Sequence, residues 1–330
     1  MTLQRQRRAL MAAAVLASAM RAARTAPSPR RLGVLMLNRA ESWQFLREEL
    51  PKALAPLGWI AADGPARNLQ IDWRFADDDP SRLPALAQAL VRDGAEVLLT
   101  RGTPATRALS AATTTVPIVT GVGDPVGAGL ATSLAAPGGN ITGLSYAFVD
   151  TTRKQIELLR EMVPGMTRLL LVLPATRASI MADSLRTVER IARAQKLQPQ
   201  VVVAKELKLL RQALQELRGS GGAAAFVFSF AADATPKDVA RVLLQVELPS
   251  VFDQRGYVAA GGLMSYRLYW DNQTQHTAAQ IDKLLRGAKA AEIPFEQPTR
   301  SELVLNAGTA KLLKLRIPAA LLARADEVIQ

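Results

Sequence analysis

The chain has no cysteine among its 330 residues, and His276 is its only histidine. Without a thiol, the protein forms no disulfide, holds no thiolate-bound metal and carries no lipid on a cysteine. A single histidine in a polar stretch offers neither a metal-binding pair nor a partner for a catalytic triad. The sequence therefore argues against an enzyme and predicts no metal or other cofactor.

Acidic residues are missing from the first 31 positions, which contain seven arginines. More than half of the formal net charge of +12 is concentrated in this short segment. The remainder is only mildly basic, and no helix-turn-helix, RNA-recognition or zinc-finger pattern accompanies it. We expect no nucleic-acid partner.

The amino terminus has the layout of an export signal. Arginines precede an apolar run over residues 9–16, and Ala17-Ser18-Ala19 supplies the small residues that a signal peptidase accepts. The apolar run is far shorter than the ~20 residues that a membrane-spanning helix needs. The pattern predicts a signal peptide over residues 1–26, cleaved between Ala19 and the end of that range. The pair Arg7-Arg8 also permits a twin-arginine route, and an organelle transit peptide is the alternative.

From residue 31 onward, short apolar runs alternate with amphipathic segments, and the chain exceeds the usual size of one hydrophobic core. Such alternation predicts an α/β architecture with parallel sheets and helical crossovers. One series of strands is predicted at residues 32–37, 69–75, 97–100 and 116–120, and a second at residues 168–173, 200–204, 223–228 and 250–252. We therefore expect two lobes, each a mostly parallel sheet flanked by helices.

The segments after residue 253 are too few to form a third core, so the chain must return between the lobes. The sequence predicts three crossovers, near residue 145, at residues 255–265 and at residues 294–300. The predicted lobes are residues 31–145 plus 262–293 and residues 146–261 plus 294–330. Several crossovers at one seam make a hinge, and the cleft beside it can trap a ligand.

The stretch from Gly121 to Gly143 is rich in glycine and proline and follows the fourth predicted strand. Ligands bind in open α/β sheets at the carboxyl ends of strands, so this loop is a candidate site or hinge segment. It does not fit a dinucleotide fingerprint, because Pro137-Gly138-Gly139 interrupts the long helix that such a motif requires. A connector without a ligand is the alternative.

Two parts of the sequence carry a family resemblance. They are the loop, with Gly123-Asp124-Pro125-Val126 and Pro137-Gly138-Gly139-Asn140-Ile141-Thr142-Gly143, and the tail, with Ala260-Gly261-Gly262-Leu263-Met264-Ser265-Tyr266 and Leu303-Val304-Leu305-Asn306. Over essentially the whole mature chain, the sequence resembles ABC-transporter substrate-binding proteins whose better-known members bind tryptophan and other aromatic amino acids. The resemblance implies the type I periplasmic binding fold, with two α/β lobes, three hinge crossovers and a ligand between the lobes.

The same resemblance implies a monomer that binds a small organic molecule, an amino acid or a related carboxylate. Such a protein delivers its ligand to the membrane permease of an ABC importer. Many relatives in single-membrane bacteria carry a lipidated cysteine, whereas this chain has none, which favours a freely diffusing protein in the periplasm. A periplasmic sensor that signals to a membrane receptor is the alternative.

Polar and aromatic side chains follow the predicted strands of both lobes, where a cleft would gather them. A small zwitterion needs helix N-termini and hydroxyls for its carboxylate, an anion for its ammonium and an apolar wall. The candidate ligand-binding residues are Asn38, Trp43, Thr100, Arg101, Gly102, Thr103, Asp124, Ser145, Tyr146, Thr176, Ser229, Phe230 and Asp253. Each of these residue types alone also suits a helix cap or a turn.

Charged candidates have more specific expectations. Arg101 either clamps an anion with two parallel hydrogen bonds or lies on the surface as an ordinary arginine. We expect Asp253 to pair with a ligand ammonium. Asp124 is expected to hold the glycine loop, because an aspartate before proline often accepts hydrogen bonds from the N–H groups of its own turn.

Overall fold

Two β-sheets form the centre of the molecule, which a computed structural model describes over residues 29–60, 68–175, 181–219, 222–228 and 234–330. The first sheet, in the spatial order β2-β1-β3-β4-β5, consists of β1 (Arg30–Met36), β2 (Leu69–Phe75), β3 (Val97–Arg101), β4 (Ile118–Val122) and β5 (Ile141–Ser145). The second, in the order β12-β11-β10-β9-β8-β6-β7, consists of β6 (Arg168–Pro174), β7 (Gln198–Ala204), β8 (Ala223–Val227), β9 (Ser250–Phe252), β10 (Met264–Tyr269), β11 (Arg300–Asn306) and β12 (Glu327–Ile329). Neighbouring strands are parallel except for β10 and β11, which confirms the predicted α/β class with two mostly parallel sheets.

Helices pack on both faces of each sheet. They are α1 (Gln44–Leu54), α2 (Leu83–Arg92), α3 (Thr103–Ala112), α4 (Phe148–Met162), α5 (Ala182–Ala194), α6 (Leu207–Arg218), α7 (Pro236–Gln245), α8 (Arg255–Ala259), α9 (Gln273–Leu285), α10 (Ala307–Leu312) and α11 (Ala319–Leu322). In the first lobe, the apolar side chains of α1 and α9 cover one face of the sheet and those of α2 and α3 cover the other. None of the helices within the described ranges is both long and apolar enough to cross a bilayer.

Strand β1 shows why the cores form on both sides of a sheet. Its residues are apolar from Leu32 to Met36 apart from Gly33, and all of them are buried. Because successive side chains of a strand point to opposite faces, Leu32 and Val34 join one core cluster and Leu35 joins the other. A strand that is buried on both faces reads as a continuous apolar run, which is the signal that made the parallel sheets predictable.

Three chain crossovers join the lobes. The first leads from β5 into α4, the second from β10 into α9, and the third from a short 3-10 turn at Ala290–Glu292 into β11. The third crossover lies against β5, because the N–H of Ser145 donates to the carbonyl of Glu296 (2.8 Å) and the N–H of Glu296 donates to the carbonyl of Gly143 (3.0 Å). The crossovers are therefore in contact along one side of the molecule.

The second crossover does not lie where the sequence placed it. The prediction put it at residues 255–265 and assigned residues 262–293 to the first lobe, whereas β10 pairs with β9 and β11 in the second sheet. The chain therefore returns to the first lobe at residues 270–272. Gly261, with φ +108°, and Gly262, whose N–H donates to the carbonyl of Tyr257 (2.8 Å), form the turn from α8 into β10 rather than a passage between lobes.

The end of the predicted glycine loop is a strand. Residues 141–145 form β5, which pairs in parallel with β4 and places Thr120 opposite Gly143. Gly143 has φ +148°, and a Cβ atom there would lie 1.9 Å from the carbonyl oxygen of Thr120. Glycine is therefore required by the close approach of the two strands, although the same residue lowers the strand propensity that sequence reasoning relies on.

Candidate functional site

A cavity of about 370 Å³ opens between the two lobes. It lies at the carboxyl ends of β3 and β4, the edge at which open α/β sheets bind ligands. Its lining from the first lobe comprises Thr103, Arg107, Gly123, Asp124, Gly127 and Ala128, and its lining from the second comprises Phe148, Asp183, Ser184, Arg186, Thr187 and Arg190. A molecule in this cavity would contact both lobes at once.

The N-terminus of α3 forms part of this cavity wall. Gly102 precedes the helix with φ +85°, and its N–H donates to the carbonyl of Gly121 (2.9 Å), which fixes the turn at the ends of β3 and β4. The helix has no side-chain cap. Since the first N–H groups of a helix lack internal acceptors and carry the positive end of its dipole, the backbone at Thr103 favours a negatively charged group.

The glycine loop is fixed by its own hydrogen bonds. Asp124 Oδ1 accepts from the N–H of Gly127 (2.8 Å), so the predicted turn bond is present. A Cβ at Gly127 would lie 2.1 Å from Asp124 Oδ2, which explains the glycine at this position. Arg107 donates to the carbonyl of Ala128 (2.9 Å) and joins the loop to α3. The loop therefore presents a rigid surface, with Asp124 in the cavity wall.

At the hinge end of the cleft, polar side chains from β3, the first crossover and the start of α9 meet. Arg101, at the end of β3, donates to the hydroxyl of Tyr146 (2.6 Å) on the first crossover. Gln273 at the start of α9 donates to the same hydroxyl (3.1 Å), and Arg101 also reaches Thr277 Oγ1 (3.5 Å). The ring of Trp270 meets that of Tyr146 edge to face, with 5.6 Å between centroids. Two predicted residues, Arg101 and Tyr146, are thus brought together.

The outer wall of the cavity carries more positive than negative charge. Arg107, Arg186 and Arg190 line it against only Asp124 and Asp183. Asp183 already pairs with Arg186 one helical turn away. An anionic group on a ligand is therefore favoured there, and within the described ranges no three His, Asp or Glu side chains come together as a metal site.

A family model described as "ABC transporter substrate binding protein" matches residues 47–329. The chain belongs to this family. A substrate-binding protein binds its ligand without converting it, and the cavity between the lobes is the candidate place for that ligand.

Known relatives agree with the fold. A tyrosine-binding protein of Clostridioides difficile (strain R20291) is 24% identical over 289 residues, which cover 86% of this chain and 81% of the relative. The crystal structure of a conserved domain protein from Vibrio cholerae superposes with a TM-score of 0.71 at 24% identity, covering 91% of this chain and all of the other. The structure of an ABC domain from Streptococcus pneumonia in complex with L-Trp gives a TM-score of 0.69 at 22% identity, covering 92% of this chain and all of that one.

Four of the predicted ligand-binding residues have structural roles in this substrate-binding protein. Thr100 is buried and its hydroxyl donates to the carbonyl of Leu35 (2.6 Å). Asn38 donates to Asp78 Oδ1 (2.8 Å), and Trp43 packs against the core of the first lobe. Ser145 is buried and its Oγ accepts from the N–H of Ala147 (3.3 Å). None of these four side chains lines the cavity.

The remaining predicted ligand-binding residues belong to the second lobe. Asp253 is exposed after β9 and is absent from the cavity lining. Thr176, Ser229 and Phe230 lie outside the described residues, as does the predicted signal peptide over residues 1–26.

Sequence reasoning missed the residues that α5 and α9 contribute. Asp183, Ser184 and Thr187 stand in the first turns of α5, a helix that the periodicity predicts without indicating which end faces the cleft. Gln273 and Thr277 are spaced i, i+4 on α9, so they share a helix face. The available signal was the position of Trp270 just before the polar start of α9. It was overlooked because the second crossover was predicted too early in the chain.

Proposed function

We propose that this protein is the solute receptor of an ABC importer, and that it encloses an aromatic amino acid between its lobes. One observation carries the proposal: the cavity is lined by both lobes, and three adjacent crossovers join these lobes in the described part of the chain. A ligand that contacts both walls is held better when they approach each other. Closure about the crossovers would then bury the ligand and present a distinct shape to a permease.

The chemistry of the cavity suits an amino acid. Its carboxylate would be favoured by the positive groups around the cleft, which are the N-terminus of α3 and the arginines at the cavity wall and at the hinge end, and its ammonium by Asp124, whose Oδ2 makes no hydrogen bond to a described residue. Phe148 offers an aromatic surface in the same cavity. The similarity to a tyrosine-binding protein and to a protein whose structure was solved in complex with L-Trp supports the choice of an aromatic side chain.

Thermal shift and calorimetry with L-tryptophan, L-tyrosine and L-phenylalanine test this proposal, with glycerol and L-lysine as controls. A ligand at 100 times its dissociation constant adds about 2.7 kcal/mol to the free energy of unfolding. We expect at least one aromatic amino acid to raise the Tm and to reduce the radius of gyration in small-angle scattering. No shift with any of the three would contradict the aromatic ligand class.

The ammonium partner is tested in the same assay by Asp124→Asn, Asp183→Asn and Asp253→Asn. Asp253 remains the ammonium partner predicted from the sequence. Asp124 is the competing candidate, because it lines the cavity. Loss of a buried charge partner would weaken binding by about 2–5 kcal/mol. The variant that loses affinity for the amino acid, but not for its deaminated analogue, identifies the residue.

We also propose export to the periplasm and delivery to a membrane permease. The export pattern at the amino terminus and the family membership support this role. Amino-terminal sequencing of protein from a periplasmic fraction should begin after Ala19. Recovery with a permease and its ATPase after crosslinking is the expected result, whereas recovery with a receptor kinase would favour a sensor.

A further inference from the structure

The side chains at the hinge end of the cleft combine into a set of hydrogen-bond donors. We call this set the donor cluster and define it as Arg101, Tyr146, Trp270 and Gln273. The side chains of Arg101 and Trp270 can donate hydrogen bonds but cannot accept them. The cluster is half-buried between the ends of β3, β5 and β10.

Tyr146 has its acceptor capacity filled. Its hydroxyl oxygen accepts from Arg101 Nη1 (2.6 Å) and from Gln273 Nε2 (3.1 Å). A phenolic oxygen has two acceptor sites and one proton to donate. With both sites filled, the proton must point elsewhere, and no described residue accepts it. The hydroxyl is therefore set to donate.

Two further donors in the cluster lack acceptors. Trp270 Nε1 is buried and has no hydrogen-bond partner among the described residues. Arg101 contacts only two hydroxyls, those of Tyr146 and Thr277, and no carboxylate in the described part of the chain lies within ion-pair distance of it. A buried donor without an acceptor costs about 1–3 kcal/mol, and a partly buried cation without an anion also carries a penalty. A negatively charged group placed here would remove both costs.

The cluster adjoins the cavity through the strand ends. Arg101 is two residues before Thr103, and Tyr146 is two residues before Phe148, and both of these later residues line the cavity. Gly121 makes room between them, since a Cβ there would lie 2.3 Å from the Tyr146 hydroxyl. None of the four cluster side chains is part of the cavity lining itself, so a ligand would have to extend past the lining residues Thr103 and Phe148 to meet the donors.

We infer that the donor cluster is the site for the carboxylate of the bound ligand, with Arg101 as its anchor. The inference rests on the proposed function and deepens it by placing the acid group at the hinge rather than at the outer wall. Tyr146 lies on the first crossover and Trp270 on the second. A carboxylate held by both would couple occupancy of the cavity to the arrangement of the crossovers.

The test compares L-tryptophan with L-tryptophanamide, which has the same shape but no acid group. Dissociation constants are measured by calorimetry for the wild type, Arg101→Met, Arg101→Lys and Tyr146→Phe. Arg92→Met is the matched control, because Arg92 is an exposed arginine in the last turn of α2 and is not part of the cavity lining, and Arg107→Met tests the outer wall of the cavity. The ratio of the dissociation constant of the amide to that of the acid isolates the interaction with the carboxylate, as in a double-mutant cycle.

We expect the wild type to prefer the acid by about 10- to 100-fold, the range for a charged hydrogen bond. Arg101→Met should reduce this preference to within about threefold, Arg101→Lys should restore part of it, and Arg92→Met should leave it unchanged, whereas Arg107→Met should reduce it by less than Arg101→Met does. Tyr146→Phe should reduce it by a smaller factor. A purely structural role of Arg101 would instead weaken both ligands equally.

Other results would overturn the inference. If Arg107→Met abolishes the preference and Arg101→Met does not, the carboxylate lies at the outer wall, and the proposed function stands. If the wild type binds neither tryptophan compound, the same comparison is made with leucine, succinate and lactate and their amides. If the preference for one of these acids over its amide is lost in Arg101→Met, the inference is supported and the aromatic class is excluded. If no acid is preferred over its amide, the inference is refuted.

Discussion

The two sheets meet the crossovers in different ways. On the side of the first sheet the contacts are buried: Thr142 donates to the carbonyl of Ile293 (2.7 Å), and Gln280, with no exposed surface, donates to the carbonyl of Gly143 (3.1 Å) and to Glu296 Oε1 (3.0 Å). On the side of the second sheet, an ion pair at the surface joins Asp271 in the second crossover to Arg300 at the start of β11 (2.9 Å), and a partly exposed pair of Arg267 with Glu302 links β10 to β11 (2.7 Å). Buried polar bonds are costly to break, whereas exposed ion pairs contribute little. At these points we therefore expect the first lobe to be the more firmly fixed side of the hinge.

Gly143→Ala should break the fixed side most strongly. The added Cβ would collide with the backbone of Thr120, and the φ of +148° is unfavourable for alanine. We expect a loss of about 4 kcal/mol or more in the free energy of unfolding, measured by urea denaturation, or failure to yield soluble protein. Gly139→Ala is the control, because its Cβ would meet no atom within 4 Å and should change stability by less than about 0.5 kcal/mol. Equal stability of the two variants would contradict the close approach of β4 and β5.

Gln280→Leu tests the buried bonds without a steric clash. It removes one of two donors to the carbonyl of Gly143, which still accepts from the N–H of Glu296, and it removes the donor to Glu296 Oε1. The expected cost is about 1–3 kcal/mol in urea denaturation. A leucine that leaves stability unchanged would show that the first lobe is not held at this point, and the contrast between the two sides would fail.

Arg267→Met should have a smaller effect, because it breaks a partly exposed pair with Glu302 on the second sheet. We expect a loss of about 0.2–1 kcal/mol, and less in high salt, which screens such pairs. The measurement is the urea midpoint at low and high ionic strength. A loss as large as that of Gln280→Leu would mean that the second lobe is held as firmly as the first.

The smallest effect is expected at Glu327, whose pKa is lowered by its hydrogen bond with Arg255. Because the folded-state pKa lies below the unfolded value of about 4.3, the pair stabilises the fold above that pH. The contribution is lost as the pH falls through the folded-state pKa. The wild type should thus be slightly more stable than Arg255→Gln above about pH 5, and the two should converge in acid. A difference that grows in acid would contradict this assignment.

Sequence patterns predicted the sheets better than the route between them. Strands β2 and β9 have the predicted bounds, because apolar runs and the turn residues that flank them are local signals. Strand β5 was missed because Gly143 is required by contact with a neighbouring strand, which one sequence does not display. The second crossover was misplaced because Gly261 marks any sharp turn, within a lobe or between lobes.

For the cleft, sequence reasoning found residues that directly follow a strand and missed those that reach it from a distant helix. Arg101 ends β3, and Gly102 and Thr103 follow it, so the rule about strand ends pointed to them. Gln273 reaches Tyr146 across 127 positions of the chain, and that pairing depends on how α9 packs. Hydroxyls such as that of Thr100 satisfied the same rule but serve the backbone instead.

Helix α9 holds two of the crossovers through one of its faces. Gln273 binds Tyr146 on the first crossover, and His276 and Gln280 bind the carboxylate of Glu296 on the third. Sliding one lobe past the other would shear these bonds, whereas turning about a line through Tyr146 and Glu296 would leave them intact. We therefore expect opening and closing to follow a single angular coordinate, so that one distance between labels on the two lobes suffices to follow the whole motion.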